Sequence, residues 1–463
     1  MKKTKKTMAL FMAAVLAVGL CTSCSGNKQT GKTQLAVGSW PATEGSALDS
    51  QNKKKAEFEA DNPDIEIVPD TWQFDLKTFY PKAEAGMLPN IFVGPYTEIG
   101  KLVDGEYVAD ITEHLKKYGY YDEMNKSIRD LVSVDGKVYA LPYQAYALGI
   151  PCNMEMFKQA GLLEADGTPM QPKTWEELAE FAVKIKEATG KPGFSMATTQ
   201  NCGGWLFTNI AWSYGVDFME QDADGKWKAT FNTPEMVEAL EYVKDLRWKY
   251  DVLPENVLVS QDEMFKLLAI DGAGMTLSAP AAGSWAKYGM KSENLGMLAI
   301  PAGPKKRVTL VGGAYYAITA ESDEKQIDAA FKWMTFSGTP FEVNDKVKEN
   351  MQRTIQTQLD SGHAVGTKAM SIWSGENARV AYEHQLIDEK TNMLPNAAKY
   401  YNESLVSGEV ELQAEEPVCA QDLYGLLDNC IQQVLNDENA DCKAIVEKAN
   451  ADFQTNYLNN VQY

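Results

Sequence analysis

Few residues in this chain are of a type that performs covalent or metal chemistry. Its 463 residues include only three histidines, His114, His363 and His384, far apart in the sequence. That is too little for a histidine-based metal centre or a His-dependent nucleophilic triad. No H-E-x-x-H, G-x-S-x-G, Walker loop or strand-linked G-x-G-x-x-G occurs. Carboxylates are plentiful, 64 Asp plus Glu against 44 Lys plus Arg. Two carboxylates are all that glycoside hydrolysis needs, so a surface carbohydrate-active enzyme stays open. A net charge of -20 argues against nucleic-acid binding, because phosphate contacts need clustered Lys and Arg. No metal and no organic cofactor is expected.

The cysteines divide into two groups. Cys21 and Cys24 follow a basic start (Lys2, Lys3, Lys5, Lys6) and an uncharged, largely apolar run from Met8 to Leu20. That run is shorter than the roughly 20 residues a membrane-spanning helix needs, and it suits a signal-peptide core. Thr22-Ser23-Cys24 then resembles a bacterial lipobox, although Cys21 stands where that pattern prefers Leu. The expected organisation is a signal peptide over 1–23, lipid on Cys24 and a polar tether over 24–32. The protein is then held at the outer face of a membrane, outside the cytoplasm. Removing the four lysines takes the net charge from -20 to -24. The remaining five, Cys152, Cys202, Cys419, Cys430 and Cys442, show no disulfide framework. They are expected to be mostly reduced and buried, with one or two bridges left open.

The elements that must position any site are legible in the apolar pattern. Gln34–Trp40, Ile65–Val68 and Asn90–Val93 read as strands, separated by helical stretches over about 47–60 and 75–85. Strand, helix, strand, helix, strand predicts a parallel, doubly wound sheet. Thr174-Trp175-Glu176-Glu177 reads as a capping box opening a helix that Gly190 closes. Ser322 is expected to cap the helix carrying Ile327, Ala330, Phe331 and Met334, and Leu423 to Leu435 forms an apolar helical stripe. Ten Trp, 21 Tyr and 16 Phe are ample for the cores of two or three domains.

Several segments, taken in order, resemble the bacterial extracellular solute-binding proteins of carbohydrate ABC importers, the maltose-binding-protein-like group. The most specific is Asp135-Gly136-Lys137-Val138-Tyr139-Ala140-Leu141-Pro142, followed by Asn153, Met156-Phe157 and Ala160-Gly161-Leu162. Phe58 to Val68, Gly105 to Thr112, Thr174 to Leu178, Asp271 to Thr276, Ile300 to Pro304, Gly312 to Thr319 and Ala329 to Met334 complete the series. The segment 343–416 carries little of it.

The resemblance implies an α/β fold of the periplasmic-binding-protein type, a two-lobe clamshell whose hinge the chain crosses three times. It places 33–143 plus 309–345 in lobe 1 and 146–303 plus 352–463 in lobe 2. It also implies a monomer that is not an enzyme, needs no cofactor, binds a mono- or oligosaccharide and delivers it to ABC permease subunits. A peptide or polyamine receptor is the alternative within the binding class. Sugars are held by flat aromatic faces and by polar groups that satisfy hydroxyls. Carried over residue by residue, the resemblance implies ligand contacts at Trp40, Tyr96, Tyr146, Trp205, Trp285 and Gly313. Trp285 lies four residues late relative to the family's Gly-x-Trp, where this chain has Ser278-Ala279-Pro280-Ala281. Trp175, Trp212 and Trp333 are expected to be core residues.

Overall fold

The structure, a computed structural model, describes residues 31–461 except positions 339 and 369. The signal segment and Cys24 lie outside the described residues. Two large hydrophobic cores organise the rest, beside a small third cluster of Ile355, Val365, Leu386 and Ile387.

The first core lies under a sheet in which Thr33–Val37 runs parallel to both Ile65–Pro69 and Ile91–Pro95. Alternation drives the burial: Leu35 and Val37 from one strand, Ile65 and Ile67 from the next, all face inward. Helix Ser46–Asp61 adds Phe58, edge-on to Trp333 at 5.2 Å. The long strand Val308–Ile318 joins this sheet antiparallel to Ile91–Pro95 and to Ala140–Ala147. The second core surrounds a smaller sheet ordered Leu295–Leu298, Ile150–Asn153, Met275–Thr276, Phe194–Ser195. Helices Trp175–Thr189, Cys202–Tyr214, Pro234–Trp248 and Ala420–Asn436 cover it.

The chain passes from one core to the other at identifiable residues. Ala147 packs in the first core and Leu148 in the second; Leu310 packs in the second and Val311 in the first. Thr309 pins these two crossings together. Its hydroxyl accepts the Leu148 N–H at 3.0 Å and donates to the Leu148 carbonyl at 3.0 Å. Val308 and Leu310 both pack in the second core, so the stretch expected in lobe 1 from 309 joins the first core only from Val311. Met370, Ile372, Trp373 and Val380 pack in the first core, although 352–463 was assigned to lobe 2. Within that core Trp373 meets the Tyr120 and Phe341 rings at 5.8 and 6.2 Å, contacts that sequence spacing does not reveal.

Two caps differ from expectation. Thr174 accepts the Glu177 N–H at 3.2 Å, but Glu177 reaches back to the Lys173 N–H rather than to that of Thr174. The helix expected to start at Ser322 is Glu324–Ser337, capped by Asp323. Gln326 makes that choice, because its side chain returns a bond to the Asp323 N–H at 3.0 Å. The C-terminal stripe buries Leu423, Leu427, Ile431 and Leu435 in the second core. No disulfide joins the five cysteines, of which Cys152, Cys430 and Cys442 are buried. Among the described residues no helix is long and apolar enough to cross a membrane.

Candidate ligand-binding cleft

Two cavities open where the lobes meet, and Tyr146 of the crossing strand lines both. The smaller, about 500 Å³, is walled by Phe74, Tyr96 and Glu98 from the first lobe, Gly313 from the long strand, and Glu415 and Gln421 from the C-terminal segment. The larger, about 1270 Å³, lies between helix Ser46–Asp61, the Ala279-Pro280 turn and helix Asp345–Asp360.

Tyr96, Tyr146 and Gly313 are thus brought together at one cavity. Tyr96 follows strand Ile91–Pro95, is buried, and donates its hydroxyl to the Gln144 carbonyl at 3.1 Å. Burial holds that hydroxyl well above the usual tyrosine range. Gly313 has φ of +150°, and a Cβ there would lie 2.1 Å from the Gln144 carbonyl and 2.7 Å from the Tyr96 ring. The glycine is what lets the crossing strands and the tyrosine close up on one another.

Trp40 and Trp285 are not brought to the cleft. Trp40 is 2% exposed, stacks on Trp333 at 6.0 Å and donates its indole N–H to Asn52 at 3.3 Å. Its ring packs in the first core and lines neither cavity. Trp285 is also 2% exposed, edge-on to Phe265 at 4.5 Å. Ala279 and Pro280 occupy the cavity wall instead, and Trp285 follows within helix Ala282–Lys287, turned into the second core. Trp175, Trp212 and Trp333 are core residues.

Trp205 takes an intermediate place. It is half-buried against the second core, and its indole N–H reaches Glu415 Oε1 at 3.3 Å. Glu415 lines the smaller cavity; Trp205 is absent from the walls of both. Local geometry fixes it. Asp428 accepts the N–H groups of Asn201 and Gly204, each at 2.7 Å, at the start of helix Cys202–Tyr214. A Cβ on Gly204 would lie 2.2 Å from the Tyr424 carbonyl, so the glycine allows this helix to approach Ala420–Asn436. Tyr424 then donates to Glu415 Oε2 at 2.9 Å.

Glu415 is the functional candidate that sequence reasoning missed. It is one of 64 acidic residues, in a segment that carries little of the family pattern, and only the adjacent pair Glu415-Glu416 could have drawn attention. Burial, reinforced by Glu98 across the cavity, pushes its carboxyl upward, against the pull of Tyr424 and Trp205. The two cavities differ in charge. Asp75, Glu98 and Glu415 stand against Lys77 in the smaller; Lys53, Lys54, Lys346, Arg353 and Arg379 stand against Glu57, Glu342 and Glu383 in the larger. Among the described residues no group of three or more His, Cys, Asp or Glu is placed to hold a metal.

Two cored lobes, a paired hinge and a cleft between them define a ligand-binding clamshell. Residues 41–340, well over half the chain, match the family described as bacterial extracellular solute-binding protein, and the chain belongs to it. It is 26% identical to a putative binding protein of Brucella abortus over 309 residues, 65% of this chain and 69% of that one. It is 23% identical to the sn-glycerol-3-phosphate-binding periplasmic protein UgpB of Escherichia coli over 346 residues, 71% and 75% of the two chains. Among solved structures, the cyclic α-maltosyl-1,6-maltose binding protein of Arthrobacter globiformis aligns with a TM-score of 0.66 at 22% identity. That alignment covers 91% of this chain and 98% of the other. The family is one of solute receptors, so the protein is a binding protein and not an enzyme.

Proposed function

We infer that the protein is a lipid-anchored extracytoplasmic receptor that captures a saccharide between its lobes and delivers it to an ABC permease. The observation that carries this reading is the smaller cavity: the aromatic side chains of Phe74, Tyr96 and Tyr146 and a carboxylate meet at the hinge. Aromatic faces suit the C–H side of a pyranose, and carboxylates accept from its hydroxyls. The Arthrobacter neighbour, named for a cyclic maltosyl-maltose, supports a sugar ligand. Lobe closure is a population shift in which ligand favours the closed state, and release needs no chemistry in this chain.

The test is a saccharide panel read by thermal shift, followed by small-angle scattering on any compound that binds. Binding raises the melting temperature by mass action, and closure lowers the radius of gyration. An unchanged envelope with a bound saccharide rejects the clamshell mechanism. Mass spectrometry of the mature N-terminus checks the anchor; an unmodified terminus beyond Cys24 rejects it. A phosphorylated polyol is the second reading, favoured by the five cations lining the larger cavity and by the name of the Escherichia coli relative. sn-Glycerol 3-phosphate belongs in the panel for that reason.

A further inference from the structure

Glu415 lies beyond the residues that match the family, between strand Glu411–Gln413 and helix Ala420–Asn436. Its two oxygens each accept one hydrogen bond, from the Trp205 indole and from the Tyr424 hydroxyl. An ionised carboxylate offers about four acceptor positions, so about two stay open on a side chain that lines the cavity. Both donors are neutral, and Glu98, the other group acting on its charge, is itself an acid. Glu98 differs in this respect, since Lys101 pairs with it at 3.2 Å. A half-buried carboxylate held only by neutral donors keeps acceptor capacity turned to the cavity. Hydroxyls of a bound ligand would fill that capacity, as charge-assisted bonds stronger than those between neutral groups.

The geometry points to Glu415 as the specificity-determining residue of the cleft: Trp205 and Tyr424 hold its carboxylate still, and its open lone pairs accept from hydroxyls of a neutral, polyhydroxylated ligand. This rests on the saccharide reading above. Trp205 is then a positioning residue acting through its indole N–H, and not a stacking platform. An anionic group is repelled from the smaller cavity, where Asp75, Glu98 and Glu415 face it against Lys77 alone.

The experiment is calorimetric titration of the parent protein and of Glu415→Gln, Trp205→Phe and Tyr424→Phe with neutral malto-oligosaccharides, the corresponding uronates and sn-glycerol 3-phosphate. Melting curves confirm that each variant is folded. Glu415→Gln is expected to weaken the neutral saccharide about ten- to a hundredfold, the scale of a hydrogen bond to a charged group. It should also narrow the discrimination against anions. Trp205→Phe keeps an aromatic ring and removes the N–H, so positioning predicts weaker binding whereas stacking predicts none. Acidification should weaken binding to the parent as Glu415 takes up a proton. Glu98, Asp75, Tyr146 and Tyr424 share the cavity or touch the carboxylate, so the difference between parent and Glu415→Gln profiles is the readout. A saccharide that binds parent and Glu415→Gln equally, with equal pH profiles, overturns this inference alone. A panel from which no polyhydroxylated compound binds the parent overturns both it and the saccharide reading.

Discussion

The two walls of the smaller cavity are built by different means. The first-lobe wall sets Asp75, Lys77 and Glu98 beside rings and main chain: Tyr96 is tied to the Gln144 carbonyl, and Gly313 admits both by lacking a Cβ. The second-lobe wall is a carboxylate held by an indole and a phenol, from helices brought together by Gly204 and Asp428. One wall is shaped by pairing in a sheet, the other by contacts between distant parts of the chain. Shape follows from local pattern, whereas the placement of Glu415 depends on long-range packing.

The largest test of this division concerns which tryptophans lie outside both walls. Trp285→Ala should cost about 3–5 kcal/mol of stability, the range for truncating a large buried aromatic. Affinity measured on folded protein should stay the same, because Trp285 lies against Phe265 in the second core. A large loss of affinity with little loss of stability would return Trp285 to the cleft.

Next in size is Glu416, the buried neighbour of Glu415. Its carboxyl is pushed up from 4.5 to about 7, chiefly by burial and further by Asp217, while the Trp212 N–H at 3.1 Å pulls the other way. The folded state then holds a proton that the unfolded chain has released between these values. Glu416 therefore lends stability at pH below about 4.5 that is lost as pH rises to about 7, on the order of 3 kcal/mol. Denaturant melts should show this slope in the parent minus Glu416→Gln difference. A flat difference would mean that the second-lobe wall does not keep this acid protonated.

Gly313→Ala probes the other wall. The added methyl would meet the Gln144 carbonyl at 2.1 Å in a backbone conformation that disfavours a side chain. About 2–3 kcal/mol of stability should be lost, together with ligand affinity, since the strands must part. Unchanged melting would show that the crossing strands are looser than the sheet pairing implies.

The sequence exposes the first wall better than the second for a physical reason. Thr33–Val37, Ile65–Pro69 and Ile91–Pro95 carry short-range apolar patterns, so their order and the position of Tyr96 after the third strand could be read directly. Gly313 and Tyr146 came through resemblance, within the stretch that matches the family. Trp40 and Trp285 lie in the two cores, a placement that residue type does not tell, since it gives neither the direction of a side chain after a strand end nor the effect of a displaced turn. Glu415 was invisible because Trp205 and Tyr424 lie 210 and 9 positions away along the chain, and only the fold unites them. The same holds for Met370 to Val380, whose core partners around Tyr120 are far off in sequence.

The smallest effect gives the sharpest contrast between the walls. Tyr96 donates its only hydroxyl proton to the Gln144 carbonyl at 3.1 Å, so that donor is already committed to the hinge. Tyr96→Phe removes the bond and keeps the ring. Stability should fall by about 1 kcal/mol, the net worth of a single hydrogen bond between neutral groups. Saccharide affinity should change by less than about threefold, since what the wall offers at this position is a face rather than a donor. Glu415→Gln reverses the pattern, with affinity expected to fall steeply and stability little affected. Should Tyr96→Phe instead weaken binding tenfold, the hydroxyl must leave Gln144 for the ligand on closure. The first-lobe wall would then read polar groups as the second does.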